Sequence, residues 1–284
     1  MALIWGVNFP VIKAALDEIP PLGFNALRFP LAALTVFLIL KARGGINWPE
    51  RGDWPRVLGL GILGNLVYQG FFIFGIDATL AGNASILLAT TPVWTLVLST
   101  LRRHESHGPL VWFGVLATLA GMVLVVVGGT VSLGFEGGTL KGDLLMVGAA
   151  ITWSTYTVGS RNLVRKYGSF PVTAWTLWVG AAGLTLLGLP TLMTSPPVDA
   201  SPMAWSGVTY SGVLAIGLAY ILWYRGVQRI GNARTAVYSN LTPVVALLVA
   251  WIWLGETPSV MQVGGAGVVL GGLSLARLSG RDRG

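Results

Sequence analysis

The stretch LVWFGVLATLAGMVLVVVG, Leu110–Gly128, contains no charged side chain. A helix of that length rises about 28 Å, close to the roughly 30 Å of a bilayer's hydrocarbon core. It has no polar face, so it does not have the pattern of a helix on the surface of a soluble protein. The rest of the chain agrees. Hydrophobic residues make up 54% of its 284 residues and charged residues 10%, with a mean hydropathy of +0.71. A soluble domain carries about 25% charged residues, so the shortfall exceeds what one apolar core explains. The 39 glycines and 15 prolines sit within apolar stretches, where small residues let helix backbones approach one another in a membrane.

Other classes fall away on composition. With no cysteine, disulfides, thiolate chemistry and cysteine metal sites are excluded. The two histidines, His104 and His107, share one short charged loop and read as a solvated turn, so neither a metal nor a cofactor is expected. The net charge of +7 is spread over short loops and suits a membrane protein better than a nucleic-acid partner. No GxSxG, HExxH or paired-carboxylate arrangement is present, which argues against a membrane-embedded enzyme. The first apolar segment starts almost at Met1 and lacks a basic leader, so no cleavable signal peptide is expected.

Working outward from Leu110–Gly128, the same criterion gives ten spans. They are Ala2–Leu16, Leu22–Leu40, Trp54–Gly75, Leu80–Leu101, Leu110–Gly128, Leu144–Asn162, Val172–Met193, Met203–Gly226, Ala233–Leu254 and Val260–Leu278. The fold class is therefore all-α and membrane-embedded. Before the tenth span, Thr257 can cap and Pro258 can occupy the first helical turn. Placing alternate loops and the C-terminal tail on one side puts 15 of the 18 basic residues there, leaving Lys13, Arg28 and Lys141 on the other. By the positive-inside rule the basic side is cytoplasmic. Both termini then lie in the cytoplasm, and a multi-pass protein of the inner (plasma) membrane is expected.

An internal repeat runs through the chain. Gly75-Ile76 followed by Gly82-Asn83-Ala84 is echoed by Gly226-Val227 followed by Gly231-Asn232-Ala233. Thr91-Pro92-Val93 is echoed by Thr242-Pro243-Val244, Glu105 by Glu256, Tyr68 by Tyr220 and Trp5 by Trp153. Residues 1–130 and 140–279 form the two halves, with 280–284 as a cytoplasmic tail. Each half holds five spans, an odd number, so the second is inverted relative to the first. Inverted repeats are a recurring basis of alternating access.

These residues also carry a resemblance. Leu3-Ile4-Trp5-Gly6-Val7-Asn8-Phe9 resembles the first-helix motif of EamA-type exporters in the drug/metabolite transporter superfamily. The two Gly-Asn-Ala stretches running to Pro92 and Pro243 resemble its repeated fourth-helix pattern. Leu254-Gly255-Glu256 with Gln262-Val263-Gly264-Gly265-Ala266 is similar to the end of its second repeat. The resemblance covers essentially the whole chain. It implies a ten-helix secondary transporter that exports small metabolites, with the central cavity lined mainly by helices one, three, four, six, eight and nine.

Polar and aromatic groups deep in spans are the candidates for a solute site, because they are costly in lipid. They are Trp5 and Asn8; Tyr68, Gln69 and Phe72; Asn83; Trp153 and Tyr156; Tyr220 and Tyr224; and Tyr238. Pro92 and Pro243 are expected to bend or break their helices. Arg28 and Asp77 are candidates for gating or coupling, Arg28 either as a gate or as a side chain snorkelling to the interface. The spans offer no clear central carboxylate or basic residue. A pocket of rings, amides and hydroxyls suits a small neutral or zwitterionic solute, an aromatic amino acid especially. A single chain carrying both halves is expected to function as a monomer, with the solute and the bilayer as its partners. A passive channel and a membrane-embedded enzyme are the competing functions.

Overall fold

The computed structural model describes residues 1–42, 44–45, 47–101, 108–133, 138–223 and 241–279, without the side chains of 129–133 and 276–279. In chain order the helices are α1 (Ala2–Leu16), α2 (Pro21–Ala42), α3 (Trp54–Gly61), α4 (Tyr68–Asp77), α5 (Ala81–Leu88), α6 (Thr91–Leu101) and α7 (Pro109–Leu133). They continue as α8 (Leu140–Tyr167), α9 (Ser169–Thr194), α10 (Pro202–Thr209), α11 (Leu241–Leu254) and α12 (Val260–Ser279). A π-helical segment, Ile62–Val67, joins α3 to α4 without a break, and a second, Tyr210–Leu218, extends α10. Among the described residues there is no strand.

Among the described residues, six helical stretches are long and apolar enough to cross a membrane: Pro21–Ala42, Arg51–Asp77, Ala81–Leu101, Pro109–Gly128, Ser169–Thr194 and Pro202–Trp223. Ala2–Leu16, Leu241–Leu254 and Val260–Leu275 are shorter apolar helices. α8 has 28 residues, with its charges near its two ends at Lys141, Asp143, Arg161, Arg165 and Lys166. Burial is distributed as a lipid solvent requires. Phe113, Leu116, Leu186 and Ile252 are exposed, whereas Asn25, Arg28, Asn83, Asp143 and Ser154 are buried.

The helices pair in a regular way. α7 packs along α12, and α2 along α9. α1 packs on α11 and on the stretch from α10 through its π segment, while α8 packs on α6 and on α4. The second π segment lies against α2, and the first against α9. Both π segments contain a glycine against which a neighbour presses closely. A Cβ at Gly64 would lie 2.4 Å from the Tyr156 ring, and one at Gly212 would lie 2.6 Å from the Arg28 carbonyl oxygen. π-bulges characteristically mark such adjustments inside a helix.

The fourth span is interrupted ahead of Pro92, as that proline led one to expect: α5 ends at Leu88 and α6 starts at Thr91. Pro92 cannot donate to the preceding turn, so the ladder is interrupted just before it. The cap of the last helix is Ser259, not Thr257. The Gln262 N–H bonds to the Ser259 hydroxyl at 3.2 Å and the Ser259 N–H to the Gln262 side-chain oxygen at 2.7 Å, a reciprocal capping box that leaves Pro258 ahead of the helix. Arg28 does not snorkel: it is 1% exposed. Between α8 and α9 a single residue, Gly168, makes the turn with φ of 85°, a conformation costly for residues with a Cβ.

α7 and α12 approach one another closely at glycines. A Cβ at Gly265 would lie 2.8 Å from the Gly121 carbonyl oxygen, and one at Gly272 would lie 2.6 Å from that of Gly114. Backbone cannot yield as a flexible side chain does. Gly265→Ala is therefore expected to lower stability by about 1–3 kcal/mol, the usual cost of overpacking. Gly264→Ala, on the same helix but with nothing within 4 Å, is expected to be neutral or slightly stabilising through helix propensity. Thermal unfolding of the two detergent-purified variants measures the difference.

Candidate functional site

Two aromatic groups come from the residues singled out in the sequence. In the first, the Tyr68 ring stands 5.0 Å from Trp153 and is stacked on Phe72 at 5.6 Å. Phe72 meets Phe9 edge-on at 5.9 Å, and Trp153 lies 5.0 Å from Tyr156. In the second, Trp5 meets Tyr220 edge-on at 6.5 Å and lies 5.8 Å from Trp223. These separations are those at which rings attract beyond simple burial. The pairing is crossed: Tyr68 meets Trp153, and Trp5 meets Tyr220.

Not every ring in these groups has a free face. Tyr156 is buried over Gly64, and its hydroxyl is hydrogen-bonded to that of Thr176 at 3.1 Å. It ties α8 to α9. Trp5 donates its indole N–H to the Ala215 carbonyl at 2.8 Å, one of the carbonyls of the second π segment. Tyr68, Trp153 and Tyr220 are only partly buried.

Beside the first aromatic group lies a polar node centred on Arg28. Its Nε donates to Asn25 Oδ1 at 2.9 Å, one terminal nitrogen to Gln69 Oε1 at 2.7 Å, and the other to the Ser211 hydroxyl at 3.3 Å. The Ser211 hydroxyl donates in turn to Asn8 Oδ1 at 2.5 Å. The guanidinium carbon is 5.1, 5.4 and 5.8 Å from the ring centroids of Phe24, Phe29 and Phe72, close enough for cation–π attraction. The node joins α1, α2, α4 and the second π segment. Among the described residues no carboxylate forms an ion pair with Arg28. Asn8, Gln69 and Phe72 are thus brought together by a residue expected to act elsewhere. Asn25 and Ser211 carry no motif and did not stand out in the sequence.

Asn83 belongs to a different cluster. Its side-chain N–H donates to Asp143 at 3.3 Å, and its oxygen accepts from Gln262 at 2.6 Å. The hydroxyls of Thr79 and Thr139 donate to the same Asp143 carboxylate at 2.5 and 2.6 Å. Nearby, both oxygens of Glu256 accept from the first turn of α5, from the N–H groups of Ala81 at 2.9 Å and Gly82 at 3.2 Å. A carboxylate is well placed at a helix N-terminus. Burial nonetheless pushes the Glu256 carboxyl above the usual carboxylate range, against the pull of those N–H groups and of Lys13. Lys13 donates to the carbonyls of Ile76 at 3.1 Å and Asp77 at 2.6 Å, at the end of α4. Asp77 contributes that carbonyl, while its side chain is exposed. Glu18 accepts from the Ser201 N–H at 2.6 Å and hydroxyl at 2.7 Å, bonds that hold its carboxyl below the usual range. Together these contacts fasten one end of the bundle.

Two ionisable side chains, Arg28 in α2 and Asp143 in the first turn of α8, are buried in the bundle. Neither Gln262 nor Glu256 was expected in a latch, although Ser259-x-x-Gln262 is a legible capping signature. Pro243 is buried at the start of α11. Tyr224 and Tyr238 lie outside the described residues, as do His104 and His107.

A model of the EamA-like transporter family matches the chain twice, over residues 1–127 and 140–278. The uncharacterized transporter YdfC of Bacillus subtilis is 29% identical, over 97% of this chain and 88% of its own length. A probable terminal-alkyne amino-acid exporter of Streptantibioticus cattleyicolor is 27% identical, over 98% of this chain and 92% of its own. A probable amino-acid metabolite efflux pump of Salmonella typhimurium is also 27% identical, over 96% and 91%. A protein of known crystal structure shares the fold with a TM-score of 0.69 at 23% identity, over the whole of this chain and 96% of that one. With apolar helices of membrane length and a family match to both halves, the chain belongs to the EamA-like transporter family and is a multi-pass membrane transporter.

Proposed function

We propose that this chain is a secondary carrier that exports small neutral or zwitterionic metabolites, amino acids in particular, by alternating access. In this reading ten spans form two inverted five-helix halves, and both termini face the cytoplasm of a cell bounded by the inner membrane. The observation that carries it is the crossed pairing of Tyr68 with Trp153 and of Trp5 with Tyr220. Each pair joins one half to the other, and exchanging the halves turns one pair into its counterpart. The two π segments, at Ile62–Val67 and Tyr210–Leu218, support the same relation. So do the α2–α9 and α7–α12 pairings. A carrier built in this way can exchange which half is tilted, and so which side is open.

The amino-acid assignment draws on two relatives with such names and on the chemistry of the groups described above. Rings stack on Tyr68 and Trp153, and amides and hydroxyls stand close by. The end fastened by Glu256, Lys13, Asp143 and Glu18 is the outer one by the charge rule. The described contacts then close the outer side.

Purified protein in liposomes preloaded with unlabelled amino acid is expected to accumulate labelled phenylalanine or threonine by saturable counterflow. Flux that rises linearly with concentration and shows no counterflow would indicate a channel. Tyr68→Ala and Trp153→Ala are each expected to reduce flux several-fold, in line with the roughly 0.5–1.5 kcal/mol of an aromatic pair. Undiminished flux in both variants rejects the pocket.

The absence of cysteine makes orientation directly measurable. Single cysteines replacing Lys41 and Lys141, both exposed, should differ in intact cells. An impermeant maleimide is expected to label Lys141→Cys and to spare Lys41→Cys. The reverse pattern inverts the topology.

A further inference from the structure

The Arg28 node holds a positive charge out of reach of water, and the groups around it are neutral. Asn25, Gln69 and Ser211 offer one oxygen each. A guanidinium has five N–H donors in a planar fork shaped for a carboxylate, and among the described residues only three are met. The second observation is independent of the charge. The side-chain N–H group of Asn25, Nδ2, is buried with no acceptor among the described residues. Its orientation is not arbitrary: Arg28 Nε can only donate, so the Asn25 oxygen must face it. A buried donor without an acceptor, beside a cation that meets no carboxylate among the described residues, is a costly arrangement. An anionic acceptor would satisfy both.

We infer that Arg28, with Asn25 beside it, is the anchor for a carboxylate of the transported solute. The inference rests on the carrier reading and narrows it, from neutral or zwitterionic metabolites to those bearing a carboxylate. Gln69 and Ser211 are the groups that a carboxylate displaces. Both are uncharged side chains, and a charge-assisted bidentate pair is stronger than either bond it replaces. Phe72 links the anchor to the rings, since it lies 5.8 Å from the guanidinium carbon and 5.6 Å from Tyr68. A solute anchored at Arg28 therefore has an aromatic wall within reach of its side chain.

The experiment compares solutes that differ only at the carboxylate. Phenylalanine, leucine and threonine are each tested against the corresponding amino-acid amide, by counterflow in liposomes and by quenching of tryptophan fluorescence in detergent. The wild-type protein is expected to prefer at least one acid over its amide by roughly 10- to 100-fold, the range of a charge-assisted hydrogen-bonded contact. In Arg28→Gln the preference should fall to near unity, and Arg28→Lys should restore part of it. A purely structural clip would lower stability in these variants and leave the acid-to-amide ratio unchanged. If Arg28→Gln does not fold, the wild-type ratio still decides. Acid and amide moved equally well by the wild-type protein, or an Arg28→Gln variant that keeps the preference, overturns the anchor and leaves the carrier standing. No saturable flux of any solute in either class removes the carrier reading itself, and the anchor with it.

Discussion

In a hydrocarbon solvent, two helices gain little by hiding leucine from lipid, because the lipid is as apolar as leucine. Association must come from close van der Waals contact between backbones, which only small residues permit. This constraint organises the structure. Gly121 meets Gly265, and Gly114 meets Gly272 beside Thr118, along α7 and α12. Gly6 lies against Val245 on α11, Gly142 against the chain at Ala78, and Gly188 against Leu22. The glycine load that would be a liability in a soluble helix bundle is here what lets the bundle close. It also explains why large apolar side chains such as Phe113, Leu116 and Ile252 can remain outside.

The same solvent decides where polar groups go. A charge left in lipid is expensive, so a polar side chain within a span must find partners inside the bundle. Asp143 does so with three neighbours, the side chains of Thr79, Asn83 and Thr139. Arg28 does so less completely, with neutral oxygens and aromatic rings. The Asp143 cluster is thus the better satisfied of the two, and the Arg28 node sits beside the Tyr68–Phe72 ring pair.

Much of the fold was legible in the sequence because lipid solvation writes long apolar runs into it. The spans read as Ala2–Leu16, Trp54–Gly75 and Val260–Leu278 lie within a few residues of the helices observed. The break before Pro92 was foreshadowed by the proline, but its place, at Ala89–Thr90, was not. The π segments left no signal: the neighbours packed against them, Tyr156 at Gly64 and Arg28 at Gly212, are remote in sequence. The aromatic residues were readable from helical spacing: Trp153 and Tyr156 are three apart on α8 and do meet. The polar node was not. Asn25 and Ser211 are ordinary residues brought to Arg28 by packing, over a separation of 183 positions in the case of Ser211. Of the two readings of Arg28, gate or snorkelling side chain, burial removes the second; its position near the start of a span had left access to the interface open.

The central claim is that two halves of similar construction rock about the site, so that the end fastened by Glu256 and Lys13 opens in turn. Spin labels placed at Asp77 and Val198, both exposed, report on that end from opposite halves. In liposomes their distance distribution by pulsed electron resonance is predicted to contain two populations whose ratio shifts when a transported solute is added at saturation. A single population, unmoved by any solute the protein carries, would contradict alternating access.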